Sequence, residues 1–245
     1  MPIIGGRAHT IDHIHEIGKL GYPFAEISLY EPGQVLEQLQ DLMELKEKYG
    51  IYYLAHYPNE GTPFDVEMLQ DKFVSKLKRL LDLSQNLGIR KGTMHFWMDK
   101  RRVASTVVVK KIQMLSEMVA HAADRGIVLC IENLSEGYDS FSPAFDAIPG
   151  LRMTMDIGHG QLLTKENTSS NFLGHLFHRI AHIHVHDNYG GSSVKDDIHL
   201  AVGDGIVDYP KILGMLKKKG YRSTITMEVK VQEMQRSKEL LERFL

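Results

Sequence analysis

The sequence predicts an α/β protein folded as a single (β/α)8 barrel spanning residues 1–245. Three observations carry this expectation. Eight short β-like runs alternate with longer amphipathic stretches, glycines stand where helices hand over to strands, and no Pro/Ser/Gly-rich linker divides the chain. Hydrophobic residues make up 43% of the 245, enough to bury a sizeable core.

The elements follow in order. The first β-like run, 2–6, precedes a short helical stretch at 11–20, and the second run is 24–29. A helix is expected over 33–49, where Val35, Leu36, Leu39, Leu42, Met43 and Leu45 repeat at three and four residues, as a helix covering a sheet requires. The third run, 51–56, leads to a helix over 65–87 carrying Met68, Leu69, Phe73, Leu77, Leu80 and Leu81. The fourth run, 92–95, precedes a helix over 103–125 with Val107, Val108, Ile112, Leu115, Met118 and Val119. Runs at 127–132, 152–156, 180–185 and 223–229 complete the eight, with a weakly periodic segment at 168–178. Gly50, Gly88, Gly126 and Gly220 each end a helical stretch, where a left-handed residue lets the chain turn into a strand. A doubly wound open sheet alternates in the same way and is the alternative architecture.

Charge and cysteine usage narrow the setting. Twenty-nine basic against 31 acidic residues, a net charge of −2, leave no overall electrostatic footprint for nucleic acid or a membrane surface. Cys130 is the only cysteine, so no intrachain disulfide can form and a reducing compartment is expected. The N-terminal residues lack the pattern of a secretory signal, and no apolar stretch approaches the length of a membrane span. A cytoplasmic protein without a membrane partner is the expectation.

Thirteen histidines stand against one tryptophan, and their positions matter. In 180–185, Ile183 and Val185 take one strand face while His182 and His184 take the other; in 223–229, Ile225, Met227 and Val229 oppose Thr224, Thr226 and Glu228. One face thus meets the helices, and the other becomes polar towards the carboxyl end. The last interior residues of strands three to eight are His56, His95, Glu132, Asp156, His184 and Glu228, and the loops beyond add His159, Asp197 and His199. A single strand-end histidine or glutamate is more often solvated than a ligand. Six set on one rim by a common register are not independent, and imidazoles converging with carboxylates call for a cation. Such O/N donors suit zinc, manganese or iron better than magnesium. His182 lies one layer deeper, in an interior or supporting role. His186 falls past the strand end, His9 is within reach of the rim, and Cys130 is a small core residue. His13, His15, His121, His175 and His178 read as surface.

The segments Ile131-Glu132-Asn133-Leu134, Asp156-Ile157-Gly158-His159, His184-Val185-His186-Asp187, Asp197-Ile198-His199, Gly203-Asp204-Gly205-Ile206-Val207-Asp208-Tyr209 and Met227-Glu228-Val229 occur in that order. As an ordered set they resemble the xylose-isomerase-like TIM-barrel superfamily, most strongly over 125–230, with the strand-end histidines extending the likeness back to about residue 50. That superfamily contains sugar and sugar-phosphate isomerases and epimerases, related dehydratases, and abasic-site nucleases of the endonuclease IV class. Its ketose 3-epimerase branch implies one metal on Glu132, Asp156, His184 and Glu228, with the two glutamates as the acid/base pair. Those epimerases carry an arginine after the strand-seven histidine and a further glutamate after the first. The corresponding places here are the loop 188–195 and the neighbourhood of Tyr138, which has no matching acid. The endonuclease IV branch uses nine ligands for three zinc ions, and His56, His95, Glu132, Asp156, His159, His184, Asp197, His199 and Glu228 match them residue by residue. Its "DTCH" and "HLNDS" stretches read here as Asp156-Ile157-Gly158-His159 and His184-Val185-His186-Asp187-Asn188, and its long DNA-penetrating loops are missing.

The resemblance implies two activities. The first is a divalent-metal-dependent isomerase or epimerase of a small sugar, sugar phosphate or related polyol, holding one to three Zn2+ or Mn2+ ions. Glu132 and Glu228 would move the proton, and His159 or His199 would polarise a hydroxyl. His199, His186 and Trp97 are the candidate substrate contacts, and the glycine-rich segments 188–193 and 203–205 candidate lids. The second is metal-dependent hydrolysis of phosphodiesters at abasic DNA, for which Lys100, Arg101 and Arg102, next to Trp97, would meet phosphates. DNA is a partner only under that second reading. A third reading, a barrel that binds metal or sugar without turnover, ranks below both because carboxylates suited to proton transfer stand among the ligands.

Overall fold

Eight strands pair in parallel, each with the next in the chain, and the first closes on the last. They are β1 (Ile3–Ala8), β2 (Phe24–Ser28), β3 (Tyr52–His56), β4 (Lys91–Met94), β5 (Val128–Glu132), β6 (Arg152–Asp156), β7 (Ile180–Val185) and β8 (Thr224–Met227). The computed structural model describes residues 1–245, the side chain of Val194 excepted. Closure excludes the doubly wound sheet, which leaves two open edges. The helices are α1 (Ile11–Lys19), α2 (Pro32–Glu37), α3 (Leu39–Tyr49), α4 (Val66–Met68), α5 (Ser75–Asn86), α6 (Ser105–Asp124), α7 (Tyr138–Ala147), α8 (Ser169–His175), α9 (Tyr209–Lys218) and α10 (Val231–Phe244).

The predicted alternation is realised as two apolar layers. Outward strand residues such as Ile27, Met94, Ile131, Met155, Val185 and Ile225 are buried against the helices. Opposite them stand stripes such as Met114, Leu115, Met118 and Val119 of α6. Gly50 closes α3 in the left-handed region (φ 63°), and Gly88, Gly126 and Gly220 also have positive φ. The barrel floor is closed by Phe24 stacked on Tyr52 (ring centroids 5.4 Å apart), and Gly5 leaves the Phe24 ring its space.

Several boundaries differ from expectation. The helix predicted over 33–49 breaks at Gln38 into α2 and α3, so that Val35, Leu42 and Leu45 all reach the core. The stretch 65–87 contains a π-helical turn, Leu69–Val74, between α4 and α5. Strand β1 runs two residues past its predicted end, pairing Arg7 with Glu26 and Ala8 with Ile27. A guanidinium in an otherwise apolar strand looks like a strand end, but Arg7 finds the Glu26 carbonyl (3.1 Å) and the Tyr30 hydroxyl (3.1 Å) inside the barrel. His95 and Glu228 stand one residue beyond β4 and β8, and the Glu228 N–H still donates to the Val185 carbonyl at 2.9 Å. None of the described helices is long and apolar enough to cross a membrane.

Candidate metal centre

All nine side chains expected as ligands meet on the rim formed by the carboxyl ends of the strands. Glu132 and Asp156 end β5 and β6, His184 is the penultimate residue of β7, and Glu228 follows β8; each offers one ligand atom, all within 4.8 Å of one another. His184 Nδ1 lies 2.8 Å from Glu132 Oε1, 3.4 Å from Glu228 Oε1 and 3.9 Å from Asp156 Oδ2. The other oxygen of Glu132 faces His56 Nε2 at 3.3 Å and His95 Nε2 at 3.2 Å, forming a second group. A third group joins His159, His186, Asp197 and His199, with Asp197 reached by His159 Nε2 (3.2 Å) and His199 Nε2 (3.3 Å). Glu132 therefore bridges the first two groups.

The local backbone explains the convergence. Parallel pairing puts Asp156 beside His184 and carries the same register to β8. Asn133 locks β5 to β6 by accepting the Asp156 N–H (2.8 Å) and donating to the Asp156 carbonyl (3.0 Å). His199 sits at φ 47°, unusual for a residue with a side chain and a conformation that functional sites often retain.

Four of the imidazoles, those of His56, His159, His184 and His199, are oriented as metal ligands usually are, with one ring nitrogen on an oxygen and the other directed inward. His56 Nδ1 meets the Tyr57 carbonyl (3.0 Å), His159 Nδ1 the Asn133 carbonyl (2.9 Å) and His199 Nδ1 the Glu228 carbonyl (2.9 Å). His184 is held the other way round, with Nε2 3.0 Å from both Glu26 oxygens. Meanwhile Glu132 Oε2, Asp156 Oδ2, Glu228 Oε1, Asp197 Oδ1 and both nitrogens of His186 are buried without a hydrogen bond. Their short contacts across the rim are close approaches of charge without hydrogen-bond alignment, the Arg7 Nε–Glu228 Oε1 ion pair at 3.1 Å among them. Buried donors and acceptors are rarely left this way, and a cation satisfies them together. The donor set fits zinc or manganese.

Electrostatics point the same way. Burial opposes charge on Glu132, yet the His184 and His95 imidazoles hold its carboxyl well below the usual range. Burial also opposes charge on Asp156, and His159 and His186 bring it to about 2. Asp197 is likewise held low against burial by His159 and His199, while burial lowers His95 to about 4. His199, against burial, is raised to about 9 by Asp197. Groups packed this closely must share protons or a cation.

A cavity of about 390 Å³ opens above the rim, bounded by His95, His159 and Asp197 on one side and by Trp97, Leu134, Leu162 and Leu163 on the other. Trp97 donates its indole N–H to Ser135 Oγ (2.9 Å) and packs edge-on against Phe64. Among the described residues, no lysine or arginine lines this cavity. Arg101 turns to Asp99 (2.6 Å) and the Ser135 carbonyl (2.5 Å), and Lys100 pairs with Asp139. His186 is fully buried, stacked on His199 (3.9 Å between ring centroids), and belongs to the third ligand group rather than to the cavity wall. His9 lies exposed outside the ligand groups, on Ser28 Oγ (3.2 Å).

Arg7 and Glu26, both buried, are not among the residues expected at the site, because each lies inside its strand rather than at the strand's end. The signal was present for Glu26, a carboxylate between outward-facing Ala25 and Ile27.

Over residues 14–244 the chain matches the family described as the xylose isomerase-like TIM barrel, and it belongs to that family. The uncharacterized protein MJ1311 of Methanocaldococcus jannaschii is 26% identical over 228 residues, 85% of this chain and 75% of its own length. Among solved structures, a D-tagatose 3-epimerase-like protein superposes with a TM-score of 0.82 at 22% identity, covering 98% of this chain and 96% of that one. The D-allulose 3-epimerase from Methylomonas sp. gives a TM-score of 0.82 at 16% identity, covering 100% and 98%.

Proposed function

We propose that the chain acts as one (β/α)8 domain and is a divalent-metal-dependent isomerase or epimerase of a small sugar, sugar phosphate or related polyol, working in the cytoplasm. The observation that carries this reading is the group Glu132, Asp156, His184 and Glu228, four ligand atoms within 4.8 Å of one another, in contact with His95 and His159, which line a cavity of about 390 Å³. The solved structures with similar folds bear names of sugar epimerases, which supports the class of reaction. A Zn2+ or Mn2+ ion on these residues would, when bound, draw charge from neighbouring substrate oxygens.

The chain's own residues then have distinct tasks. Glu132 and Glu228 reach the same point from β5 and from beyond β8, so one takes a proton from the carbon next to the substrate carbonyl and the other returns it. Burial opposes charge on Glu228; His184 and, less strongly, Arg7 favour it, and Arg7 Nε pairs with Glu228 Oε1 at 3.1 Å. His159 and His199 present Nε2 to the rim and can hold a substrate hydroxyl. Trp97 offers a flat apolar wall for the carbon face of a sugar. The test is epimerisation of a panel of free and phosphorylated ketoses by Mn2+- or Zn2+-loaded protein. Glu132→Gln and Glu228→Gln should each lower kcat by at least about 100-fold; unchanged turnover in either would defeat the assignment.

A second reading, phosphodiester hydrolysis at abasic DNA, is favoured by one observation: the nine side chains fall into overlapping groups, three of which together take in all nine, and two of those share Glu132. It predicts up to three metal ions per chain and incision of an abasic-site duplex. Elemental analysis with the incision assay separates the readings, since about one ion and an intact duplex support the epimerase.

A further inference from the structure

Beneath the rim lies a polar layer whose side chains do not line the cavity, and an ammonium at one end with a buried carboxylate near the other favours one direction for its hydrogen bonds. We infer that a chain of hydrogen bonds, Lys91–Thr224–His182–Glu26–His184, places the proton of His184 on Nε2 and so reserves Nδ1 for the cation. Lys91 Nζ reaches the Ala181 carbonyl (2.8 Å), Ser223 Oγ (3.0 Å) and Thr224 Oγ1 (2.8 Å). An ammonium only donates, so the Thr224 hydroxyl accepts from it and turns its own proton to His182 Nδ1 at 2.6 Å. His182 Nε2 therefore carries a proton and donates it to Glu26 Oε2 at 2.8 Å. The reverse tautomer, with Nδ1 donating to the Thr224 carbonyl (3.0 Å), would aim the Nε2 lone pair at a carboxylate that is out of contact with water.

Glu26 collects these donors. Its Oε2 also accepts the Thr226 hydroxyl proton at 2.6 Å, and both of its oxygens lie 3.0 Å from His184 Nε2. A buried carboxylate on a ring nitrogen draws the proton to that nitrogen. Glu132 Oε1 stands 2.8 Å from Nδ1 and draws a proton there as well. A cation meeting Glu132, Glu228 and Asp156 displaces that proton and leaves Nδ1 bare, while Glu26 keeps the one on Nε2. Glu26 touches neither cavity nor substrate; it is a positioning residue acting through His184, from a strand 158 residues away in the sequence.

The inference rests on reading the Glu132–Asp156–His184–Glu228 group as a cation site, and the experiment keeps the two apart. Long-range 1H–15N spectra of histidine-labelled, Zn2+-loaded protein are expected to show the His184 proton on Nε2 and none on Nδ1. Competition with a chromophoric chelator is expected to show Zn2+ bound about 10- to 100-fold more weakly by Glu26→Gln. Thr226→Val, which removes one donor and keeps the charge, should bind several-fold more weakly by the same rule. A His184 proton on Nδ1 overturns the inference, as do both variants binding within about twofold of wild type. Wild-type protein that takes up neither Zn2+ nor Mn2+ defeats the cation site, whereas wild-type uptake with unweakened variants defeats the inference alone.

Discussion

Glu136 shows how far one side chain can depart from its ordinary chemistry here. It is buried behind the rim, where it accepts the Met98 N–H (2.9 Å) and the Leu134 N–H (2.9 Å). Burial outweighs these two donors and pushes its carboxyl up to about 7. An unfolded glutamate titrates near about 4.3, so between those values the folded protein holds a proton that the unfolded chain has lost. The stability this group contributes is fully present below about pH 4 and is lost as the pH rises to about 7. Urea unfolding at pH 4.5 and 7.5 should show wild type losing on the order of 3 kcal/mol relative to Glu136→Gln. A difference that does not change with pH would mean that Glu136 is ionised throughout.

At the scale of elements, the loop after β4 is held from both sides by buried carboxylates. Glu136 holds it from the β5 side, and Glu60, from the loop after β3, accepts the Trp97 N–H through both oxygens (3.0 and 2.9 Å). Glu60 is charge-matched by Lys111 of α6, whose Nζ lies 2.7 Å away and also donates to the Trp97 carbonyl (2.6 Å). Burial raises the Glu60 carboxyl in spite of Lys111. Removing one partner of a buried pair strands the other. Lys111→Met should therefore lower unfolding stability by about 3–5 kcal/mol, and adding Glu60→Gln should restore much of that loss. Additive losses in a double-mutant cycle would show that the two side chains do not act as a unit. Because this strap carries Trp97, Lys111→Met should also alter the fluorescence of the sole tryptophan.

For the whole molecule, the cation is expected to act as a staple across strands distant in sequence. Glu132, Asp156, His184 and Glu228 lie in or next to four different strands, so an ion bound to all of them opposes opening of the barrel. At a free-ion concentration about 1,000 times Kd, binding adds about 4 kcal/mol. In a chain of this length that corresponds to a rise in Tm of roughly 8–16 °C. Calorimetry with Mn2+ or Zn2+, reversed by EDTA, measures it. A Tm that does not respond to either ion would argue against a site built from all four residues. Glu132→Gln should lower the metal-dependent increment more than the metal-free Tm.

Much of this was legible in the chain itself. The eightfold alternation, the glycines at the helix ends and the ligand-type residues at strands three to eight all follow from local periodicity and backbone conformation, which neighbours in sequence determine. Arg7 and Glu26 were not, because a charged residue in an apolar strand has no meaning until its partners are known. The gathering of the ligands into overlapping groups, the bridging place of Glu132 and the company His186 keeps with His159, Asp197 and His199 are also tertiary facts. They depend on which side chains face each other across the closed barrel, a matter of strand register and stagger. The residue types capable of metal chemistry were thus determined by the sequence alone, while closure of the barrel decided which of them share one point and which support it from below, because distances across a barrel are not encoded in any local repeat.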